Sequence, residues 1–88
     1  MPLRDVERFR LSPEERVTLA EILKFQKPRG FRYGKPLRYL RHPEVVPKLE
    51  RMGLVFVKAP YRDKKRYRYV FLTKLGRAVA FYIMRSSV

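Results

Sequence analysis

Cysteine and tryptophan are absent from this 88-residue chain, so it has no disulfides, no thiolate metal sites and no Cys nucleophile. Asparagine is absent too, and Gln26 is the only side-chain amide. With Arg exceeding Lys by 14 to 8, this profile resembles that of chains adapted to high temperature. Long apolar runs are also lacking. The longest, Ala78 to Met84, has seven residues, where a membrane span needs about 20. The N-terminal Met1-Pro2-Leu3-Arg4-Asp5 has no continuous apolar stretch of the secretory kind, which leads to the expectation of a cytoplasmic protein.

Acidic residues are scarce: 8 against 22 Lys and Arg, a net charge of +14. That charge opposes compaction unless a polyanion relieves it. Hydrophobic residues make up 45% of the chain and aromatics 14%, enough apolar surface to fold, and the length allows a single domain over 1–88. The charge is unevenly placed. Residues 1–25 hold five basic and five acidic side chains, whereas residues 26–53 carry a net +6, 54–73 a net +5 and 74–88 a net +3. Such asymmetry marks a polyanion-facing surface, the plainer alternative being a merely solvated one.

Enzymatic groups do not converge. His42 is the sole histidine, no Gly-rich phosphate loop occurs, and five of the eight carboxylates lie within residues 1–25. No cofactor, metal or catalytic residue is expected.

Ser12-Pro13-Glu14-Glu15 reads as a capped helix start, with Glu15 placed to complete a capping box. Val17, Leu19, Ala20, Ile22, Leu23 and Phe25 continue the pattern to a predicted end before Pro28, following an N-terminal arm over 1–11. Phe31-Arg32-Tyr33 alternates like a short strand, and Pro36 opens a brief helical segment stopped by Pro43. Within Glu44 to Met52, Val45, Leu49 and Met52 share one face, leaving Glu44, Lys48 and Arg51 on the other. Pro47 requires either a shorter helix or a kinked start. Gly53 fits a left-handed cap. Leu54–Lys58 and Tyr67–Thr73 form a hairpin with a basic loop, and Thr73 caps a last helix over 74–85 that accepts Gly76 at about 1 kcal/mol relative to Ala.

Gly53-Leu54-Val55, the tip Asp63-Lys64-Lys65-Arg66 and Leu72-Thr73-x-x-Gly76-Arg77 occur in order and resemble the winged helix-turn-helix family, in particular a minimal form of the MarR-like and PadR-like transcription regulators. The resemblance covers residues 13–85. It implies an α+β, mostly α fold: a two-stranded β-hairpin wing over 54–73 and a C-terminal helix over 74–85. Two features depart from the family pattern. The recognition-helix stretch begins His42-Pro43-Glu44-Val45-Val46-Pro47 rather than with small polar residues, and the long flanking dimerisation helices are missing.

The resemblance further implies double-stranded DNA as partner, for a transcription regulator or a nucleoid-associated protein. Lys48 and Arg51 would then lie in the major groove, where Arg can bond guanine bidentately. Arg38 and Arg41 would meet the phosphate backbone. The wing residues Arg62, Lys64, Lys65, Arg66 and Arg68 would follow a phosphate strand or enter the minor groove. Each has a plainer reading as a solvated charge, or in the wing as protection of a sheet edge. Because the last helix is apolar all round, Val79, Phe81, Tyr82 and Ile83 are expected to form a homodimer interface, against the alternative of a helix wrapped by its own domain. An RNA-binding or ribosome-associated winged helix shares the electrostatic argument. A protein-interaction winged helix is the third reading.

Overall fold

A computed structural model describes residues 10–59 and 68–86. Ser12 opens the first helix, α1 (Pro13–Arg29), through a reciprocal pair: the Glu15 N–H donates to Ser12 Oγ at 3.2 Å, and the Ser12 N–H donates to Glu15 Oε1 at 2.7 Å. The capping box therefore stands as the sequence predicts. The end does not. Pro28 lies inside the last turn, and Gly30, at φ 105°, is the C-cap. Pro28 has no N–H to offer the Lys24 carbonyl, so it costs one helical bond, while the last turn still closes through Gly30 N donating to Gln26 O at 2.7 Å and Arg29 Nη1 donating to Phe25 O at 3.0 Å.

The buried stripe of α1 is also rotated from expectation. Glu15, Thr18, Leu19, Ile22, Leu23 and Gln26 face inward, whereas Val17 is exposed. Three polar side chains join the stripe because each has a partner. Thr18 Oγ1 donates to Glu14 O at 2.8 Å, and Gln26 bridges two segments, its Nε2 donating to Phe31 O at 3.0 Å and its Oε1 accepting from Leu72 N at 3.2 Å.

Phe31-Arg32-Tyr33 is a turn, closed by Tyr33 N donating to Gly30 O, and the strand falls later, at β1 (Lys35–Pro36). Pro36, lacking an N–H, suits the edge it occupies. A 3-10 turn, Leu37–Tyr39, replaces the brief second helix, and another, Pro43–Val45, leads into α2 (Val46–Arg51). Of the two readings of Pro47, the shorter helix is the one adopted, with Pro47 in its first turn, where no backbone donor is needed. Gly53, at φ 77°, closes α2 as predicted.

Strands β2 (Val55–Lys58) and β3 (Tyr69–Leu72) are antiparallel, Val55 opposite Leu72 and Lys58 opposite Tyr69. With β1 antiparallel on the far side of β3, the sheet is three-stranded in the order β1-β3-β2. Thr73 then caps α3 (Lys74–Ser86), accepting from Gly76 N at 2.9 Å. The result is α+β and mostly helical, with three α-helices and one small antiparallel sheet among the described residues.

Leu19, Ile22 and Leu23 meet Leu40, Val46, Leu49, Leu54, Val55, Val70, Leu72, Val79 and Ala80 in one core. Burial of each larger side chain contributes roughly 1.5–3 kcal/mol. Gly76 is needed here for a reason that helix propensity misses: an added Cβ would land on the Leu54 carbonyl oxygen. It lets α3 start directly against the β2 entry.

Candidate nucleic-acid interface

The short helix α2 follows a loop bounded by Leu40 and ends at Gly53, so its buried side is fixed by Val46 and Leu49 in the core. Lys48 and Arg51 are both exposed, but they leave the helix in different company. Lys48 Nζ lies 3.4 Å from Glu15 Oε2, and the Glu15 side chain is only 1% exposed. That oxygen has no hydrogen bond, which makes the contact an ion pair. Burial raises the Glu15 pKa, yet the Ser12 hydrogen bonds and the Lys48 charge outweigh it and hold the carboxyl below its ordinary value. Lys48 is thus tied to the start of α1. Arg51 stands in the last turn of α2.

Arg38 belongs to the 3-10 turn after β1, with its guanidinium 5.0 Å from the Tyr39 ring centroid. Arg41 is exposed beyond it, its backbone N–H reaching Glu21 Oε1 at 3.4 Å. Of the wing residues, Arg62, Lys64, Lys65 and Arg66 lie outside the described residues. Arg68 is exposed at the base of the hairpin, where its carbonyl accepts from Leu37 N at 2.9 Å. A cleft of about 310 Å³ separates α2 from this base, with Pro47 and Glu50 on one wall and Val57 and Arg68 on the other. Glu50 places a negative charge on the cleft wall.

On the last helix, Val79 is 1% exposed and part of the protein's own core, with the start of α3 held against Leu54 at Gly76. Phe81 is 39% exposed and stands under the Lys27 ammonium at 5.7 Å, while Tyr82 and Ile83 are half-buried against the core.

The sequence puts Tyr67, Tyr69 and Phe71 on one face of the second strand, but no site residue was expected on that outer face of the sheet. Strand alternation sends Val55, Val57, Val70 and Leu72 inward and turns Phe56, Lys58, Tyr69 and Phe71 the other way. Phe56 and Phe71 stack with centroids 5.0 Å apart and planes within 6°. Lys58 Nζ lies 5.5 Å from the Phe56 ring. The period-two pattern in Tyr67, Tyr69 and Phe71 was the available signal.

Among the described residues no group of three His, Cys, Asp or Glu side chains gathers to hold a metal ion, and no helix is long and apolar enough to cross a membrane. No family model, curated protein or solved structure matches this chain.

Proposed function

We propose that the chain binds double-stranded DNA as a winged helix-turn-helix protein, acting in transcription regulation or in nucleoid organisation. The observation that carries this reading is the order of elements on a chain of charge +14: a short helix stopped at Gly53, then at once an antiparallel hairpin with a basic loop, then a capped helix. In this reading α2 enters the major groove and Arg51 is the principal donor to base edges. Lys48, anchored by Glu15, contacts the backbone or an adjacent base from a fixed position. Arg38, Arg41 and Arg68 meet phosphates, and Arg62, Lys64, Lys65 and Arg66 extend the contact along the wing. With Glu50 beside the cleft and no amide on α2, base reading is modest and electrostatic binding dominates. Phe81, Tyr82 and Ile83 pair two copies, presenting two reading helices to one duplex.

The second reading, an RNA-binding winged helix, draws support from the half-buried aromatic rings on the outer face of the sheet, since unpaired bases can stack on aromatic side chains. Competition between a labelled duplex and a structured RNA at equal salt separates the two. The duplex should be retained by the protein, and displacement by structured RNA at lower concentration would reverse the assignment.

A further inference from the structure

The most solvent-open aromatic rings among the described residues are not on the hairpin. They are Tyr33, 49% exposed, and Tyr39, 60% exposed, on either side of β1. Each carries a guanidinium from a neighbouring residue: Arg32 at 5.2 Å from the Tyr33 ring centroid and Arg38 at 5.0 Å from that of Tyr39. Between Arg32 and Arg41 the chain has four basic residues and no acidic one. Lys35 is the inward member of this set, 3.9 Å from Glu21 and over the Phe25 ring at 5.1 Å. The two tyrosine–arginine couples face solvent instead.

The segment is held rigidly. Gly34 packs so closely on Phe71 and on Tyr69 Cβ that an added Cβ would come within 2.9 Å of both residues. Lys35 and Pro36 pair with Val70 and Tyr69, and the Leu37 N–H donates to the Arg68 carbonyl. Both couples are therefore displayed at fixed positions on one sheet edge, at most about 20 Å apart along the chain. Exposed tyrosines on a fixed backbone give contact area at low entropic cost. Their guanidinium neighbours and the excess positive charge select a polyanion that also offers flat rings. A duplex hides its ring faces inside the stack. An unpaired strand displays them.

We propose that the β1 edge, from Arg32 to Arg41, is a second nucleic-acid site that takes single-stranded nucleic acid, with Tyr33 and Tyr39 stacking on bases and Arg32, Arg38 and Arg41 meeting phosphates. Arg38 and Arg41 are shared with the phosphate contacts proposed above for a duplex, whereas Tyr33, Tyr39 and Arg32 belong to this site alone, and the two tyrosines are what the test reads. Base stacking on aromatic side chains tolerates any sequence, because every base has a π-face.

The test uses the full chain and labelled oligomers of about 12 nucleotides, one of deoxythymidine, one of uridine and one abasic, followed by fluorescence anisotropy at low salt. Tyr33→Ala and Tyr39→Ala should each weaken oligomer binding by about 5- to 150-fold, while Tyr33→Phe and Tyr39→Phe stay within about twofold of wild type. The abasic strand should not distinguish wild type from the alanine variants. Equal binding of the deoxythymidine and uridine oligomers supports the shared ring-and-phosphate chemistry, and preference for one identifies the natural strand. The tyrosine effect should persist in the Lys64→Ala, Lys65→Ala, Arg66→Ala triple variant whatever that change does to duplex binding, which keeps this site distinguishable from the wing. Both tyrosines are exposed, so the variants should melt like wild type. Wild-type protein that leaves both oligomers unbound, or alanine variants that bind them as wild type does, would overturn the proposal.

Discussion

Lys48 Nζ sits 3.4 Å from Glu15 Oε2, so a cation on the candidate reading helix is fastened to the carboxylate that also caps α1. The two residues are adjacent in space but 33 positions apart in sequence, and their ion pair links two elements that also share the core through Leu19, Leu23, Val46 and Leu49. A lysine so held keeps part of its charge for its own protein.

Glu15 makes stability pH-dependent in a definite direction. Its folded-state pKa is below the ordinary glutamate value, so its contribution is complete above about pH 4.3 and is lost as pH falls through the lowered folded value. Glu15→Gln should cost about 1–3 kcal/mol near neutral pH. Urea unfolding at a series of pH values should show the gap between wild type and variant closing on acidification. A gap that stays constant into strong acid would contradict this assignment.

Gly76→Ala reverses the usual rule for helices. Ala is favoured over Gly by about 1 kcal/mol in a helix interior, yet here the new methyl would meet the Leu54 carbonyl, a backbone atom that cannot swing aside. A net loss of about 2 kcal/mol is expected, lowering Tm by about 10 °C for a chain of this size. A variant as stable as wild type would mean that α3 does not approach β2 this closely.

Gln26→Leu should cost about 2–4 kcal/mol, because it leaves the Leu72 N–H and the Phe31 carbonyl without their partner in the interior. Thermal unfolding reads the effect directly. Gln26→Leu that melts at the wild-type temperature would show that water or another donor replaces the amide.

Local signals were legible in the sequence wherever a residue acts on its near neighbours. Ser12 with Glu15, Gly53 and Thr73 each cap the helix end expected of them, since capping spans only three or four residues. The hairpin was legible too, from its apolar runs. What escaped depended on distant partners. The strand falls at Lys35 rather than Phe31, with Gly34 docked on Phe71, and Gln26 is a core residue because β3 outruns the two-residue β1 and leaves the Leu72 N–H to its side chain. At the candidate site, Arg51 stands exposed as expected, whereas the tie from Lys48 to Glu15 needed the third dimension. That Val79 turns to the protein's own core was not legible, because an apolar helix alone does not say which of its sides faces inward.

Phe81→Glu tests the pairing of two copies. Light scattering should report a dimer for wild type and a monomer for the variant, with the fold intact because Phe81 is partly exposed. Wild type that stays monomeric at every concentration would dispose of the pairing.

Salt dependence of duplex binding tests the central claim most directly. Wild-type affinity for a labelled random duplex should fall linearly on a log–log plot of binding constant against salt, with a slope of roughly −0.9 for each phosphate neutralised. Replacing Lys64, Lys65 and Arg66 by Ala should weaken all sequences alike and flatten that slope by about 3. No duplex binding at low salt, or a triple variant with the wild-type slope, would contradict the account.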